Sequence, residues 1–243
     1  MLAIIGGSGL ASLEGLNIHR QKIERTPFGE PSGLLTFGTY NDKDIVFIPR
    51  HGNPHVIPPH RINYRANIHA LHQNGVKQII GINAVGGVTK EMTPCRLVIP
   101  DQIIDYTTGR GHTFFEDGLN TVTHIDFSFP YAESLRKKII NAAQSASLDC
   151  FPQGCYGATQ GPRLETVAEI RRLEHDGCDL VGMTGMPEAA LARELDIEYA
   201  SICMVVNWAA GKMDEVITMA MIDENLKNSV DKLRQLLTAY LNT

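Results

Sequence analysis

A chain of 243 residues that is 43% hydrophobic and 20% charged has the balance of a globular protein and can bury its core in one domain. Its formal charge of -5, with lysine and arginine scattered along the chain, argues against a nucleic-acid partner. Five cysteines without a C-x-x-C spacing indicate neither a disulfide framework nor a zinc site, and the lack of a secretory leader or a roughly 20-residue apolar run predicts no membrane partner and a cytoplasmic protein.

Short apolar runs predict the strands of a sheet. Each run ends at glycine, proline or a polar residue, where a buried strand gives way to a loop. In chain order, the predicted strands are residues 2–5, 45–48, 78–82, 96–99, 179–183 and 200–206.

Helical periodicity fills the intervals between these runs. Tyr64, Ile68 and Leu71 fall on one face of a predicted helix, and Gly75 supplies a stop. Strands alternating with helices predict an α/β fold with a largely parallel or mixed central sheet flanked by helices, which we assign to a single domain, residues 1–243, since nothing in the sequence demands two. Polar loops at strand ends are then where chemistry is expected. Further helices are predicted over residues 134–146, 166–175, 187–195 (with Pro187 in the first turn) and 222–241.

The first predicted strand runs into Gly6-Gly7-Ser8-Gly9. Consecutive backbone N–H groups and a hydroxyl, uncrowded by Cβ atoms at the glycines, suit an oxyanion such as phosphate. The segment is not a P-loop, and Ser12 occupies the third glycine position of a dinucleotide fingerprint. From this piece alone, an ordinary tight turn is the simpler interpretation.

Arg50 and His51 follow the second predicted strand. Arginine is the side chain best matched to phosphate because its planar guanidinium presents a fork of donors. A structural pair with a carboxylate explains Arg50 equally well from this segment alone. After the third strand, the small residues of the segment 83–87 (NAVGG) would let a ligand approach the backbone and complete an anion cradle.

Two more loops lead into predicted helices. The loop 158–166 (ATQGPRLET) carries Glu165, and the segment 181–188 (VGMTGMPE) carries Thr184 and Glu188. Hydroxyls and carboxylates at such positions also cap helices or favour the helix dipole, so each residue by itself has a structural explanation.

Together these segments resemble the trimeric nucleoside phosphorylases, in the branch that holds the methylthioadenosine and purine nucleoside phosphorylases. The resemblance runs from Gly6 to about Lys212 and rests on four motifs whose joint occurrence in this order is highly specific. It implies a pentosyltransferase that cleaves a purine nucleoside with inorganic phosphate as co-substrate, without a metal or organic cofactor, in a homotrimer. The motifs are GGSG at 6–9, RHGxxH at 50–55, GPRxET at 161–166 and VGMTxxPE at 181–188.

By position, the resemblance implies the site residues. Met183 is expected along the ribose, with His55 and His124 near its 5′ side. Asn83 departs from the threonine that the methylthioadenosine branch carries. The implied phosphate ligands are Ser8, Arg50, His51, Ala84 and Thr184, and the substrate contacts also include Leu164, Glu165, Asn207, Trp208 and Ala209.

Cleavage of the glycosidic bond builds positive charge on the ribose and negative charge on the purine. A positioned phosphate dianion stabilises the first charge, and donors near N7 of the base stabilise the second. Asn207 and Glu165 are the expected catalytic residues.

Three positions predict which purine is bound. Where the methylthioadenosine branch has an aspartate pair after the last strand and a serine in the Gly-Pro-Arg loop, this chain has Asn207, Ala209 and Glu165. An asparagine amide donates to O6 or N7, and an ionised Glu165 accepts from N1–H, which matches a 6-oxopurine. We therefore expect adenine nucleosides to be poor substrates. Asn207 as a turn residue and Glu165 as a cap are the structural alternatives.

The residues expected near the 5′ group, taken together with the 6-oxopurine site, predict the substrate. His55 and His124 resemble the methylthio branch, so the expected reaction is phosphorolysis of S-methyl-5′-thioinosine to hypoxanthine and 5-methylthioribose 1-phosphate, in purine salvage. Because the chain ends at Thr243, without the extension that helps close the methylthio pocket in longer relatives, an inosine/guanosine phosphorylase is the alternative. Residues 217–221 and the last helix are candidates to line the 5′ pocket from a neighbouring subunit.

Other classes of function are less favoured. A methylthioadenosine phosphorylase would need a different base site. A non-catalytic nucleotide-binding module would use the same glycine-rich strand ends without turnover. A nucleoside hydrolase is expected to carry an aspartate-rich calcium site near its first strand, and the segment 6–9 has none.

Overall fold

The computed structural model describes residues 1–10, 12–13, 15–118, 121–214 and 216–242, and eleven strands among them form one mixed sheet. Thr243, the chain end used in the substrate argument, lies outside the described residues. All six predicted strands are present, and five others carry no long apolar run. The strands are β1 (Leu2–Gly6), β2 (Asn17–Lys22), β3 (Leu35–Tyr40), β4 (Lys43–Pro49), β5 (Gln78–Gly87), β6 (Leu97–Val98), β7 (Gln102–Asp105), β8 (Cys150–Phe151), β9 (Cys155–Ala158), β10 (Leu180–Gly182) and β11 (Glu198–Trp208).

The five predicted helices are confirmed, and the side chains of Asn63, Thr166 and Thr218 cap the N-termini of three of them. Asn63 caps the first helix by accepting from the Ala66 N–H, and Gly75, with φ 76°, follows its end. Pro187 was predicted in the first turn of the fourth helix, but it is the N-cap, and the helix begins at Glu188. None of the helices in the described part of the chain has both the length and the apolar character needed to cross a membrane. The helices are α1 (Tyr64–Gln73), α2 (Glu133–Ser145), α3 (Val167–His175), α4 (Glu188–Glu194) and α5 (Met219–Leu241).

The strand order brings several strand ends to one edge of the sheet. The order is β2-β3-β4-β1-β5-β10-β9-β7, and β11 pairs with β5 and β6. β1 is parallel to β4 and β5, and β5 is parallel to β11, so these four strands end at the same edge. β10 runs antiparallel to the end of β5 and pairs Val181 with Gly86. The residues that follow β10 therefore return alongside the last part of β5.

Helices cover both faces of the sheet, which explains why its central strands are almost entirely apolar. Side chains alternate between faces along a strand. Ile4 packs in an apolar cluster that includes residues of α2 and α5, whereas Ala3 and Ile5 pack in a cluster that includes residues of α1 and α4. The predicted apolar face of α1, with Ile68 and Leu71, is buried in this second cluster.

Two strands extend beyond their predicted ends. β5 includes the segment 83–87, because β11 pairs with it along its whole length. β11 continues to Trp208 through a register shift, in which Val205 lies opposite Val85 and Asn207 lies opposite Gly86. A bulge of this kind bends the strand and changes the direction of its side chains. The ends of β5 and β11 are therefore paired strands and not loops.

Candidate active site

An open cleft lies at the edge where β1, β4, β5 and β11 end. The space within it is about 790 Å³, which includes the open mouth. Ten of the thirteen predicted site residues line it, together with Pro59, Ile217 and Ile222. The ten are Ser8, Arg50, His51, Ala84, Leu164, Glu165, Met183, Thr184, Asn207 and Ala209.

Arg50 takes part in a buried ion pair and also lines the cleft. Its Nε and Nη2 donate to the two oxygens of Glu188 at 2.7 and 2.6 Å, and Nη1 donates to the Ile82 carbonyl at 2.6 Å. Burial lowers the pKa of Arg50, but the Glu188 carboxylate raises it by more, so the net pKa lies above its ordinary value. A guanidinium has five N–H donors, and one each on Nη1 and Nη2 is left for a ligand. The predicted structural pair is present, and it leaves donors for an anion.

His51 is a neutral imidazole at pH 7. Burial first, and then the charge of Arg50, lower the pKa of its ring to about 4. Its Nδ1 lies 2.8 Å from the Ile57 carbonyl oxygen, so Nδ1 carries the proton and donates. Nε2 is left as an acceptor, which matches an O–H donor such as a monoprotonated phosphate.

The hydroxyl of Thr184 is oriented by a chain of buried polar groups. Asn83 in β5 donates from Nδ2 to Thr184 Oγ1 at 2.7 Å, and its Oδ1 accepts from Ser201 Oγ at 2.7 Å. Because Thr184 Oγ1 accepts from this amide, its own proton is available to an acceptor in the cleft. Asn83, at the position where the methylthioadenosine branch has threonine, thus orients Thr184 without lining the cleft itself.

Glu165 is half-buried at the cleft, and one of its oxygens is already bound. Thr159 Oγ1 donates to Glu165 Oε1 at 2.6 Å, which leaves Oε2 as an acceptor. The explanation of Glu165 as a helix cap is wrong, because Thr166 caps α3 in a capping box with Glu169. The carboxylate is therefore held in place without serving the helix.

The bulge in β11 presents Asn207 to the cleft. Val206 and Asn207 both line it, although neighbouring residues of a regular strand point to opposite faces. Asn207 Nδ2 donates to the Trp208 carbonyl at 2.7 Å, which leaves one amide hydrogen and Oδ1. The explanation of Asn207 as a turn residue is wrong, since it lies within β11. Ala209 lines the cleft beside it with no polar side-chain group.

Three predicted substrate residues are not part of this lining. The His55 ring stacks on His51 with centroids 4.3 Å apart, and burial lowers its pKa. His124 is exposed and Trp208 is half-buried. Ile217, one of the predicted 5′ candidates, does line the cleft, from the same chain. The ligand roles of His55, His124 and Trp208 stay predictions.

Sequence reasoning missed the hydrogen-bond partners that hold the lining residues in place. A helix cap was the structural alternative for Glu188, but its side chain is fully buried against Arg50. Thr159 and Asn83 were not recognised as partners of Glu165 and Thr184. The Arg50 and Glu188 positions are 138 residues apart and those of Asn83 and Thr184 are 101 apart, so no local spacing marks either pair.

The strand ends of an α/β sheet bring an arginine, a carboxylate and an amide together around one cleft, as expected for an enzyme of the phosphorylase class. The profile of the phosphorylase superfamily matches residues 1–242, and the chain belongs to that family. The predicted enzyme class, a pentosyltransferase, is confirmed by this membership and by the phosphorylases among its relatives.

Relatives and solved structures agree on the family. A probable S-methyl-5′-thioinosine phosphorylase from Pseudomonas syringae pv. tomato is 53% identical over 240 residues, 99% of this chain and 98% of that protein. A 6-oxopurine nucleoside phosphorylase from Pyrococcus furiosus is 43% identical over 99% of this chain and 91% of that protein. A methylthioadenosine phosphorylase from Schistosoma mansoni, solved with adenine, has a TM-score of 0.95 at 32% identity and covers 99% of this chain and 90% of its own.

Proposed function

We propose that this protein cleaves S-methyl-5′-thioinosine with inorganic phosphate and releases hypoxanthine and 5-methylthioribose 1-phosphate. The observation that carries the proposal is that Glu165 and Asn207 line the same cleft as the five predicted phosphate ligands. The name of the Pseudomonas syringae relative, at 53% identity, supports the same substrate. We further propose that residues 1–243 form one nucleoside phosphorylase domain, which acts in the cytoplasm as a homotrimer without a metal or organic cofactor.

Phosphate is the nucleophile in the proposed reaction. One of its oxygens attacks C1′ as the bond from C1′ to the purine nitrogen breaks, and the bonding electrons leave with the base. The base then takes up the proton that the monoprotonated phosphate loses, which gives neutral hypoxanthine. The two free N–H groups of Arg50 and the hydroxyl of Thr184 bind the phosphate oxygens, and Ser8 and the small residue Ala84 complete the cradle. Binding both reactants in one cleft supplies proximity, and the phosphate charge stabilises the cationic ribose as it forms.

The purine gains negative charge as the bond breaks, and in the proposed complex it lies between Glu165 and Asn207. The remaining hydrogen of the Asn207 amide donates to O6 or N7, and Glu165 Oε2 accepts from N1–H. An adenine ring would present an amino donor at position 6 to the amide donor and an unprotonated N1 to the carboxylate. Both contacts would then be lost, which makes a 6-oxopurine the preferred base.

The 5′ end of the substrate determines the second candidate function. Ile217 and Ile222 give the cleft apolar lining that suits a methylthio group. The Pyrococcus furiosus relative, in contrast, is named a 6-oxopurine nucleoside phosphorylase. An inosine/guanosine phosphorylase is therefore the alternative.

Turnover of four nucleosides, each with and without phosphate, tests the proposal. Methylthioinosine, inosine, guanosine and methylthioadenosine are supplied to the wild-type protein, and the free base is measured. We expect base release only with phosphate, and kcat/KM for methylthioinosine at least about tenfold above that for inosine, the discrimination that one apolar group supplies. Equal values for the two would favour the alternative, and release without phosphate would contradict phosphorolysis.

A further inference from the structure

Arg110 lies behind the cleft and joins two of its walls. Its side chain is buried, with 7% exposed, and is not part of the lining. Nη1 donates to the carbonyls of Met183 and Met186 at 2.8 and 2.6 Å. Nη2 donates to the carbonyls of Thr159 and Gln160 at 3.3 and 3.0 Å. One guanidinium thus binds the backbone of both the loop that follows β9 and the segment that follows β10.

The remaining bonds of Arg110 strengthen this junction. Nε donates to Gln160 Oε1 at 3.2 Å, and Nη1 also donates to the Tyr64 hydroxyl at 3.2 Å. The Gln160 side chain in turn accepts from the Thr108 N–H and donates to the Thr108 carbonyl, at 3.2 and 3.0 Å. All six acceptors of Arg110 are uncharged oxygens, so the arginine is used for its fork of donors and not for an ion pair.

The two segments that Arg110 joins hold different parts of the substrate. Thr159 donates to Glu165, the proposed acceptor of the purine N1–H. Met183 lines the cleft on the expected ribose side, and the next residue is Thr184, a proposed phosphate ligand. The two segments are joined directly where the Thr159 N–H donates to the Gly182 carbonyl at 2.8 Å, and the bonds of Arg110 join them again further along both segments.

We propose that Arg110 is a positioning residue that fixes the spacing between the base loop, residues 159–165, and the ribose-phosphate segment, residues 183–186. The inference rests on the proposed function in assigning the base to Glu165, the ribose to Met183 and phosphate to Thr184. Arg110 touches no reactant. It acts by holding both segments at the separation that the bound nucleoside requires, so that the purine and C1′ are aligned with phosphate at the same time.

Arg110→Lys is the informative variant, because it keeps the charge but replaces the planar fork with three donors on a single nitrogen. A lysine cannot bind both segments in the same geometry. We expect kcat to fall by about 10²-fold, the cost of misplacing reacting groups by about an ångström. The KM for phosphate is expected to change by less than about threefold, because Ser8 and Arg50 lie outside both joined segments and the Thr184 hydroxyl keeps its hydrogen bond to Asn83.

Arg136→Lys is a control for burial, although Arg136, unlike Arg110, also forms an ion pair, with Glu133. Arg136 is equally buried, with 6% exposed, and donates to the carbonyls of Pro100, Ile99 and Pro152, none of which lines the cleft. Its replacement is expected to lower the melting temperature without a separate loss of kcat. If both lysine variants lose kcat in proportion to their loss of folded protein, the role of Arg110 is only structural and the proposal is overturned.

A double-mutant cycle with Glu165→Gln supplies the decisive measurement. If Arg110 positions Glu165, the loss of kcat/KM from Glu165→Gln is largest in the wild type and falls to less than about threefold in the Arg110→Lys background. Losses that multiply independently would overturn the proposal. An incorrect substrate assignment can be distinguished from failure of the Arg110 proposal. It would appear as a different preferred nucleoside in the wild type, and the cycle would then be measured with that nucleoside.

Gln160→Leu keeps the proposal testable if Arg110→Lys does not fold. This variant removes the side-chain bonds to Arg110 and Thr108 but leaves the arginine and its four carbonyl bonds in place. We expect a smaller fall in kcat, about three- to tenfold, with the phosphate KM unchanged. An unchanged kcat in Gln160→Leu would overturn the proposal.

Discussion

Arg50 and Glu188 form a bidentate ion pair in which neither side chain is exposed to solvent. The Tyr199 hydroxyl also donates to Glu188 Oε1, at 2.8 Å. The pair joins the end of β4 to the start of α4 and fixes the guanidinium at the cleft. Breaking a buried pair by removing one charge leaves the other uncompensated, so we expect Glu188→Gln to lower the free energy of unfolding by about 3–5 kcal/mol.

Urea unfolding measures this loss, with Glu116→Gln as its control. Glu116 pairs with Arg65 at 2.6 Å, but the two side chains are 44% and 28% exposed. An exposed pair contributes about 1 kcal/mol or less, so the control should stay close to the wild type. Equal losses in the two variants would mean that the buried pair adds no more stability than a surface pair.

Thr184→Val tests the oriented hydroxyl. The substitution keeps the shape of the side chain and removes the proton that the Asn83 contact leaves available. A hydrogen bond to a charged group contributes roughly 1.5–3 kcal/mol, so the phosphate KM should rise by about 10- to 100-fold while the nucleoside KM changes little. Thr36→Val, another buried threonine, in β3, is the control. An unchanged phosphate KM would exclude Thr184 from phosphate binding.

Asn207→Ala tests the assignment of the amide to the base. We expect turnover of methylthioinosine to fall by about 10²- to 10³-fold, as when one donor to a developing negative charge is removed. Phosphate affinity should fall much less. Steady-state kinetics with phosphate and nucleoside varied separately distinguish the two effects. Equal losses in turnover and in phosphate affinity would count against contact with the base.

His51 predicts a specific dependence of stability on pH. Its pKa is about 6.5 in the unfolded chain and about 4 in the folded protein, so above pH 6.5 the ring is neutral in both states and this contribution to stability is complete. As the pH falls from 6.5 to 4, only the unfolded chain gains the proton, and the stability is lost by up to about 3 kcal/mol. Urea unfolding in phosphate-free buffer at pH 7 and pH 4.5 measures the change. His51→Gln should lose less stability over this interval, and identical slopes would contradict the buried neutral ring.

The sequence patterns predicted the parts of the fold that depend on local chemistry. Apolar runs located β1, β4, β5, β6, β10 and β11, and periodicity located all five helices. The exposed strand β2 and the short strands β8 and β9 were missed, because their pairing partners and not their composition make them strands. The same cause extended β5 through Gly86 and Gly87, where the neighbouring β11 overrides the low strand preference of glycine.

Sequence reasoning predicted residues whose side chains line the cleft. It missed residues whose side chains contact those lining residues. Polar residues at strand ends pointed to Ser8, Arg50 and Asn207, and the structure brings them together. The bulge at Val206, which turns Asn207 toward the cleft, depends on pairing with β5 and leaves no mark in an apolar run. Arg110 has its partners about 50 and 75 residues further along the chain, so their contact depends on the whole topology.

The ratio of kcat/KM for methylthioinosine to that for methylthioadenosine, measured on the wild-type protein at saturating phosphate, tests the central claim most directly. The two substrates share the sugar and its 5′ group and differ only in the pattern of donors and acceptors that Glu165 and Asn207 are proposed to bind. A site built for one pattern leaves its polar groups unpaired with the other, so we predict a ratio above about 10² and approaching 10⁴. A ratio near or below one would contradict the proposed recognition of a 6-oxopurine.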